Sequence, residues 1–169
     1  MIHVCSLARL HQTVDDTGAR HVVTLLRDPE IVARPKSIAP ENHLILHIDD
    51  IAMPIEGYTV PEDTHVRELL AFVHNWDRAA PMVVHCYAGI SRSTAGAFVT
   101  ACALNPARDE LDIAWDIRRA SRTAKPNVRI VSLADTLLGR NGRMVRAIEV
   151  IGPGEVAYEG DPFRLDLHK

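Results

Sequence analysis

Two short apolar runs, residues 44–48 (LILHI) and 82–85 (MVVH), flank a single amphipathic stretch, and this arrangement constrains the fold more than any other feature of the chain. In the stretch between them, Pro61 suits a first helical turn, and the charges of Glu62 and Asp63 favour a helix amino end. Val66, Leu69, Leu70, Val73 and Trp76 then recur at three- and four-residue spacing, one apolar helical face. A strand–helix–strand unit of this length makes a parallel pair with a right-handed crossover. The loops that follow the two strands therefore share one edge of a sheet.

The remaining chain repeats the alternation. His21–Leu26 (HVVTLL) reads as a strand covered on both faces, and residues 2–5 as a further strand at an edge. After residue 85 the helical patterns are 93–104, a stretch from the Asn105-Pro106 cap to about 120, 127–138 stopped by Gly139, and 143–150. The expected architecture is α/β: a central, mostly parallel sheet of four to five strands flanked by helices. At 169 residues the chain is the size of one domain. We place that domain at residues 1–150 and read 151–169, beyond the Gly152-Pro153-Gly154 break, as a tail or loosely docked segment.

Where the run at 82–85 ends, the sequence continues His85-Cys86-Tyr87-Ala88-Gly89-Ile90-Ser91-Arg92-Ser93-Thr94, and a helical pattern begins at once. A strand, a tight loop and a helix amino terminus in immediate succession bring backbone N–H groups together on one point, an anion cradle. Tyr87, Ala88, Gly89, Ile90, Ser91 and Arg92 would form it, with Gly89 able to take backbone angles closed to other residues. At its mouth, the positive helix end and the Arg92 guanidinium favour the thiolate of Cys86, making the sulfur a nucleophile. The planar fork of Arg92 can hold two phosphate oxygens, and Ser93 can donate a hydrogen bond to the sulfur as it leaves.

The stretch resembles the HCxxGxxR(S/T) signature of cysteine-dependent protein tyrosine phosphatases, most closely the compact dual-specificity branch, with His85, Cys86, Gly89, Arg92 and Ser93 at the signature positions. The resemblance implies a phosphatase-like phosphate loop at the carboxyl edge of the sheet. It assigns Cys86 as the nucleophile of a phosphocysteine intermediate, Arg92 as phosphate clamp, Ser93 as the aid to breakdown and His85 as a supporting residue. The family also uses an aspartate as general acid. Asp49 and Asp50 follow the 44–48 strand and so reach the edge that carries Cys86; the family pattern, with one residue between strand and acid, favours Asp50, and Asp28 ranks third. Arg122, Pro126 and Asn127 resemble the R-x-x-x-x-P-N stretch whose asparagine braces the phosphate loop. The duller readings are that the aspartates begin a turn, that Asn127 only caps a helix, and that Arg118, Arg119 and Arg122 complement a helix carboxyl end.

These features predict a phosphomonoester hydrolase acting on phosphotyrosine in a phosphorylated protein, with phosphoserine and phosphothreonine as further substrates. The rivals are a phosphoinositide or nucleotide phosphatase using the same loop, an arsenate reductase or thiosulfurtransferase, and an inactive phosphate-binding module. The loop has none of the lysines that lipid-phosphatase loops tend to carry, and His85, Ser93 and the aspartate pair separate the chain from the other two enzyme classes. A net charge of -3 is too balanced for a nucleic-acid partner, and no apolar run approaches the roughly 18 residues needed to cross a membrane, so the expected location is cytoplasmic. The nine histidines show no metal-ligand spacing, and neither a metal nor a cofactor is expected. Cys5 and Cys102 lack any such context and read as packing residues.

Overall fold

The computed structural model describes residues 1–167. Five strands form one sheet: β1 (Ile2–Ser6), β2 (His21–Leu26), β3 (His43–His47), β4 (Met82–Cys86) and β5 (Phe163–Leu165). Their order is β3-β2-β4-β1-β5, parallel throughout except for β5, which runs antiparallel to β1. The helices are α1 (Leu10–Thr17), α2 (Asp63–Asn75), α3 (Arg92–Leu104), α4 (Glu110–Ala120), α5 (Val128–Leu137) and α6 (Arg143–Ile151).

The two strands joined by α2 end on the same edge as expected, but they do not pair. β2, buried from Val22 to Leu26, lies between them, parallel to both and paired on each side. β3 is consequently an edge strand, with His47 exposed and His43 half-buried against Thr24 of β2. β1, expected at an edge, is interior, since β5 covers its free side. That pairing also corrects the reading of the carboxyl end as a tail or loosely docked segment. Phe163, Leu165 and Leu167 are buried, an alternation of period two too short to stand out in the sequence.

On one face of the sheet, Leu10 and Val14 of α1 pack with Cys5, Val22 and Val83 of the strands. The larger core lies on the other face, where α3, buried along nearly its whole length around Phe98, packs against β1, β2 and β4. Helix starts differ from the sequence reading where side chains intervene. Pro61 precedes the α2 cap instead of opening the helix, because Glu62 and His65 form a reciprocal capping box. α4 begins at Glu110, because the Asp109 carboxylate accepts the Leu111 N–H and so caps the helix there, beyond Asn105-Pro106. Gly139 does stop α5 in the left-handed conformation, at φ 64°.

Candidate active site

Cys86 is the last residue of β4, level with Ser6 of β1, and Arg92 opens α3. The loop between them is turned inside out by its surroundings. The carbonyls of Tyr87, Ala88, Ile90 and Ser91 each accept a backbone N–H from outside the loop, from Leu7 (3.1 Å), Gly160 (2.9 Å), Lys125 (2.8 Å) and Asn127 (3.3 Å) respectively. The Thr94 hydroxyl donates to the Ile90 and Ser91 carbonyls as well. In a planar trans peptide the N–H points opposite to the C=O, so outward carbonyls turn the amides of Ala88, Gly89, Ser91 and Arg92 inward. This is the geometry of an anion cradle. Gly89 completes it at φ 73°, and a Cβ there would stand 2.8 Å from the backbone of Cys5 and Ser6.

The Cys86 sulfur, almost wholly buried, lies 3.1 Å from Ser93 Oγ. One Arg92 nitrogen, Nη1, donates to the Ile48 carbonyl (2.9 Å), which fixes the guanidinium against the end of β3, while its buried Nε has no hydrogen-bond partner among the described residues. His85, fully buried, shares a 2.7 Å hydrogen bond between Nε2 and the Thr24 hydroxyl, which also meets His43 Nε2. Burial pushes the His85 imidazole down to about 4, so it stands under the loop as a neutral ring that locks β4 to β2.

The two adjacent aspartates have separate fates. Asp49 is turned into its own loop: Oδ2 accepts the Thr59 N–H (2.8 Å), its backbone N–H donates to the Thr59 carbonyl (2.8 Å), and Arg27 lies 3.9 Å away. Asp50 faces the cradle. Its Oδ1 accepts from Ser91 Oγ (2.6 Å) and Asn127 Nδ2 (2.8 Å). Asn127 caps α5, its Oδ1 accepting the N–H of Arg129 and Ile130, while its Nδ2 donates to Asp50 and only its backbone N–H reaches the loop, at the Ser91 carbonyl. Asp28 does not line the cavity.

A cavity of about 600 Å³ opens over the loop, and Asp50, Cys86, Tyr87, Arg92 and Asn127 all line it. Ala88, Ile90 and Ser91 line it too, so every loop residue anticipated from the sequence is on its wall except Gly89, which is pressed beneath against β1. The arginines near residue 120 do not reach it. Arg118 donates to the carbonyls of Ser121, Arg122 and Gly152, Arg119 pairs with Asp116, and Arg122 with Glu155. Lys125, Ala157 and Tyr158 on the wall were not anticipated. Long-range contacts bring the carboxyl segment here, the pairing of β5 with β1 and the N–H groups of Glu155 and Gly160 on the Arg122 and Ala88 carbonyls, and no local pattern signals them.

The protein-tyrosine phosphatase family model matches residues 56–129, the span from the loop before α2 to the start of α5. Among solved structures, the Cydia pomonella PTP-2 phosphatase is similar at a TM-score of 0.63 and 19% identity, covering 80% of this chain and 84% of that one. DUSP15 matches at 0.63 and 17% identity over 89% of each chain. The human tyrosine phosphatase-like serine/threonine/tyrosine-interacting protein matches at 0.63 and 14%, over 83% and 92%. No curated protein matches the chain in sequence. In signature, in family-model match and in fold alike, the chain resembles the cysteine-dependent protein tyrosine phosphatases, and among them the compact, dual-specificity-like branch.

Proposed function

We propose that the protein is a phosphomonoester hydrolase that removes phosphate from tyrosine, and under dual specificity from serine and threonine, in phosphorylated proteins through a phosphocysteine intermediate on Cys86. The family match and the fold support phosphatase activity. The observation that carries the finer reading is the convergence of Cys86, Arg92 and Asp50 on one cavity whose floor is a ring of inward amides.

The steps follow from the positions of the atoms. Phosphate oxygens take the inward N–H groups and Arg92, whose unpaired Nε is a donor ready for one of them. The Cys86 thiolate attacks phosphorus, and the bond to the substrate oxygen breaks. Asp50 gives that oxygen its proton. Because Oδ1 already accepts two hydrogen bonds, the proton rides on Oδ2, and Asn127 and Ser91 act by aiming it. Water then attacks the phosphocysteine, Asp50 takes its proton back, and the sulfur leaves as thiolate with a hydrogen bond from Ser93 at 3.1 Å. His85 supports the loop from below without titrating near neutral pH. This scheme calls on no metal or cofactor.

The purified protein is expected to hydrolyse p-nitrophenyl phosphate in the presence of chelator, and Cys86→Ser to abolish turnover. Arg92→Lys replaces a two-pronged donor by a point charge and should cost about 10²- to 10³-fold in kcat. Undiminished turnover in Cys86→Ser would overturn the mechanism.

A further inference from the structure

The segment after α6 is strapped across the phosphate loop. At one end the Glu155 N–H donates to the Arg122 carbonyl (2.9 Å) and its carboxylate pairs with Arg122. At the other the Gly160 N–H donates to the Ala88 carbonyl (2.9 Å), and Glu159 accepts the Ser6 hydroxyl at 2.5 Å. Gly160 sits so close that a Cβ there would come within 3.0 Å of the Gly89 carbonyl. β5 then ties the strap to β1. Between these anchors Tyr158 is carried at the mouth of the site, fully exposed, as is most of Tyr87 on the loop itself.

The two tyrosines divide the mouth. Tyr87, Ala88 and Tyr158 line the cavity above Cys86, and the same three residues, with Leu7, Ala8 and Glu159, line a second cavity of about 400 Å³ beside it. This second wall is apolar and aromatic except for the Glu159 carboxylate. A phosphate monoester of small size fills the first cavity alone. A peptide carries side chains past it, and one of them meets the second.

We propose that this second cavity is a substrate subsite that takes an apolar side chain flanking the phosphorylated residue and rejects an acidic one, with Tyr158 of the strap as its specificity-determining residue. The inference rests on the phosphatase reading given above. Apolar lining yields affinity in proportion to the carbon surface covered, and Glu159 repels a carboxylate brought into the same space. An extended peptide places neighbouring side chains on alternate sides, so one flank can enter the second cavity while the phosphorylated residue occupies the first.

The test compares phosphotyrosine peptides identical except for Leu or Asp on either side of the phosphorylated residue, with phenyl phosphate as the reference substrate. The wild type should favour a Leu flank over the matching Asp flank by about tenfold in kcat/KM, the return on burying part of one leucine side chain. Two variants probe the cavity from different walls: Tyr158→Ala removes one side of it, and Ala8→Trp fills it while leaving every strap residue as it is. Both side chains are exposed, so neither substitution disturbs the core. Each should bring the Leu-to-Asp ratio close to one, with a larger loss on the Leu peptide than on phenyl phosphate. A wild type that shows no such preference, or a preference intact in both variants, overturns the subsite and leaves the phosphatase reading standing. Failure of the wild type to hydrolyse phenyl phosphate overturns both.

Discussion

Asp50→Asn and Asp49→Asn should have opposite consequences, although the residues are adjacent and chemically identical. An asparagine at position 50 keeps an oxygen that can accept from Ser91 and Asn127 at 2.6 and 2.8 Å, so the side chain stays in place and only the transferable proton is lost. General acid help contributes about 10²- to 10⁴-fold, equivalent to roughly 3–5 kcal/mol of barrier. The loss should fall in that range for phosphotyrosine, whose phenol leaves poorly. It should stay below about tenfold for 2,4-dinitrophenyl phosphate, whose leaving group departs without a proton. Position 49 has no such role. Its asparagine still accepts the Thr59 N–H, and what disappears is an attraction to Arg27 across 3.9 Å with the arginine side chain 48% exposed. Partly exposed pairs of this kind contribute about 0–1 kcal/mol, so a small drop in Tm and an unchanged kcat/KM are expected. Steady-state kinetics on both esters, with thermal melts of both variants, decide the matter. If Asp49→Asn shows the leaving-group dependence, or if neither variant does, the assignment of Asp50 as acid is refuted.

Further expectations concern reactivity, pH and the core. Iodoacetate should label Cys86 and spare the others, because burial pushes the Cys5 thiol up to about 12 and raises that of Cys102 well above its ordinary value; mass spectrometry showing equal labelling would contradict this. His85 has a folded-state value near 4 against an ordinary 6.5, so the unfolded chain binds the extra proton and stability falls as pH drops through that window. The loss approaches roughly 3 kcal/mol. Urea unfolding at pH 7 and pH 4.5 should therefore show a smaller decrease for His85→Gln than for the wild type, and equal decreases would refute the linkage. Glu110, 3% exposed, pairs with the buried Arg140 at 2.8 Å and with Arg143. Glu110→Ala leaves Arg140 without its counter-charge and should cost about 3–5 kcal/mol in chemical denaturation, against a refuting value below about 1 kcal/mol. Gly89→Ala should lose most phosphatase activity and bind vanadate weakly by calorimetry, because its Cβ would force the loop off the backbone of Cys5 and Ser6; vanadate affinity equal to wild type would contradict that.

What the sequence determines by itself is whatever is local. The cradle is built from consecutive residues, and strand, loop and helix amino end follow one another without a gap, so Cys86, Arg92 and Ser93 are brought together by the chain's own geometry. The helices after it carry enough apolar repeats to be read, and Asn127 caps α5 as its residue type allows. Long-range pairing decides the rest. Asp50 is separated from Asp49 only because Asp49 pairs with Thr59 across a loop and Asn127, 77 positions on, reaches Asp50. β1 is interior because three residues near the carboxyl end find the free edge of the sheet, and Tyr158 stands at the mouth because the segment before them is tied to Arg122 and Ala88 as well. Such contacts depend on which backbone donors and acceptors remain unpaired once the other elements have packed, and no periodicity in the segment itself carries that information.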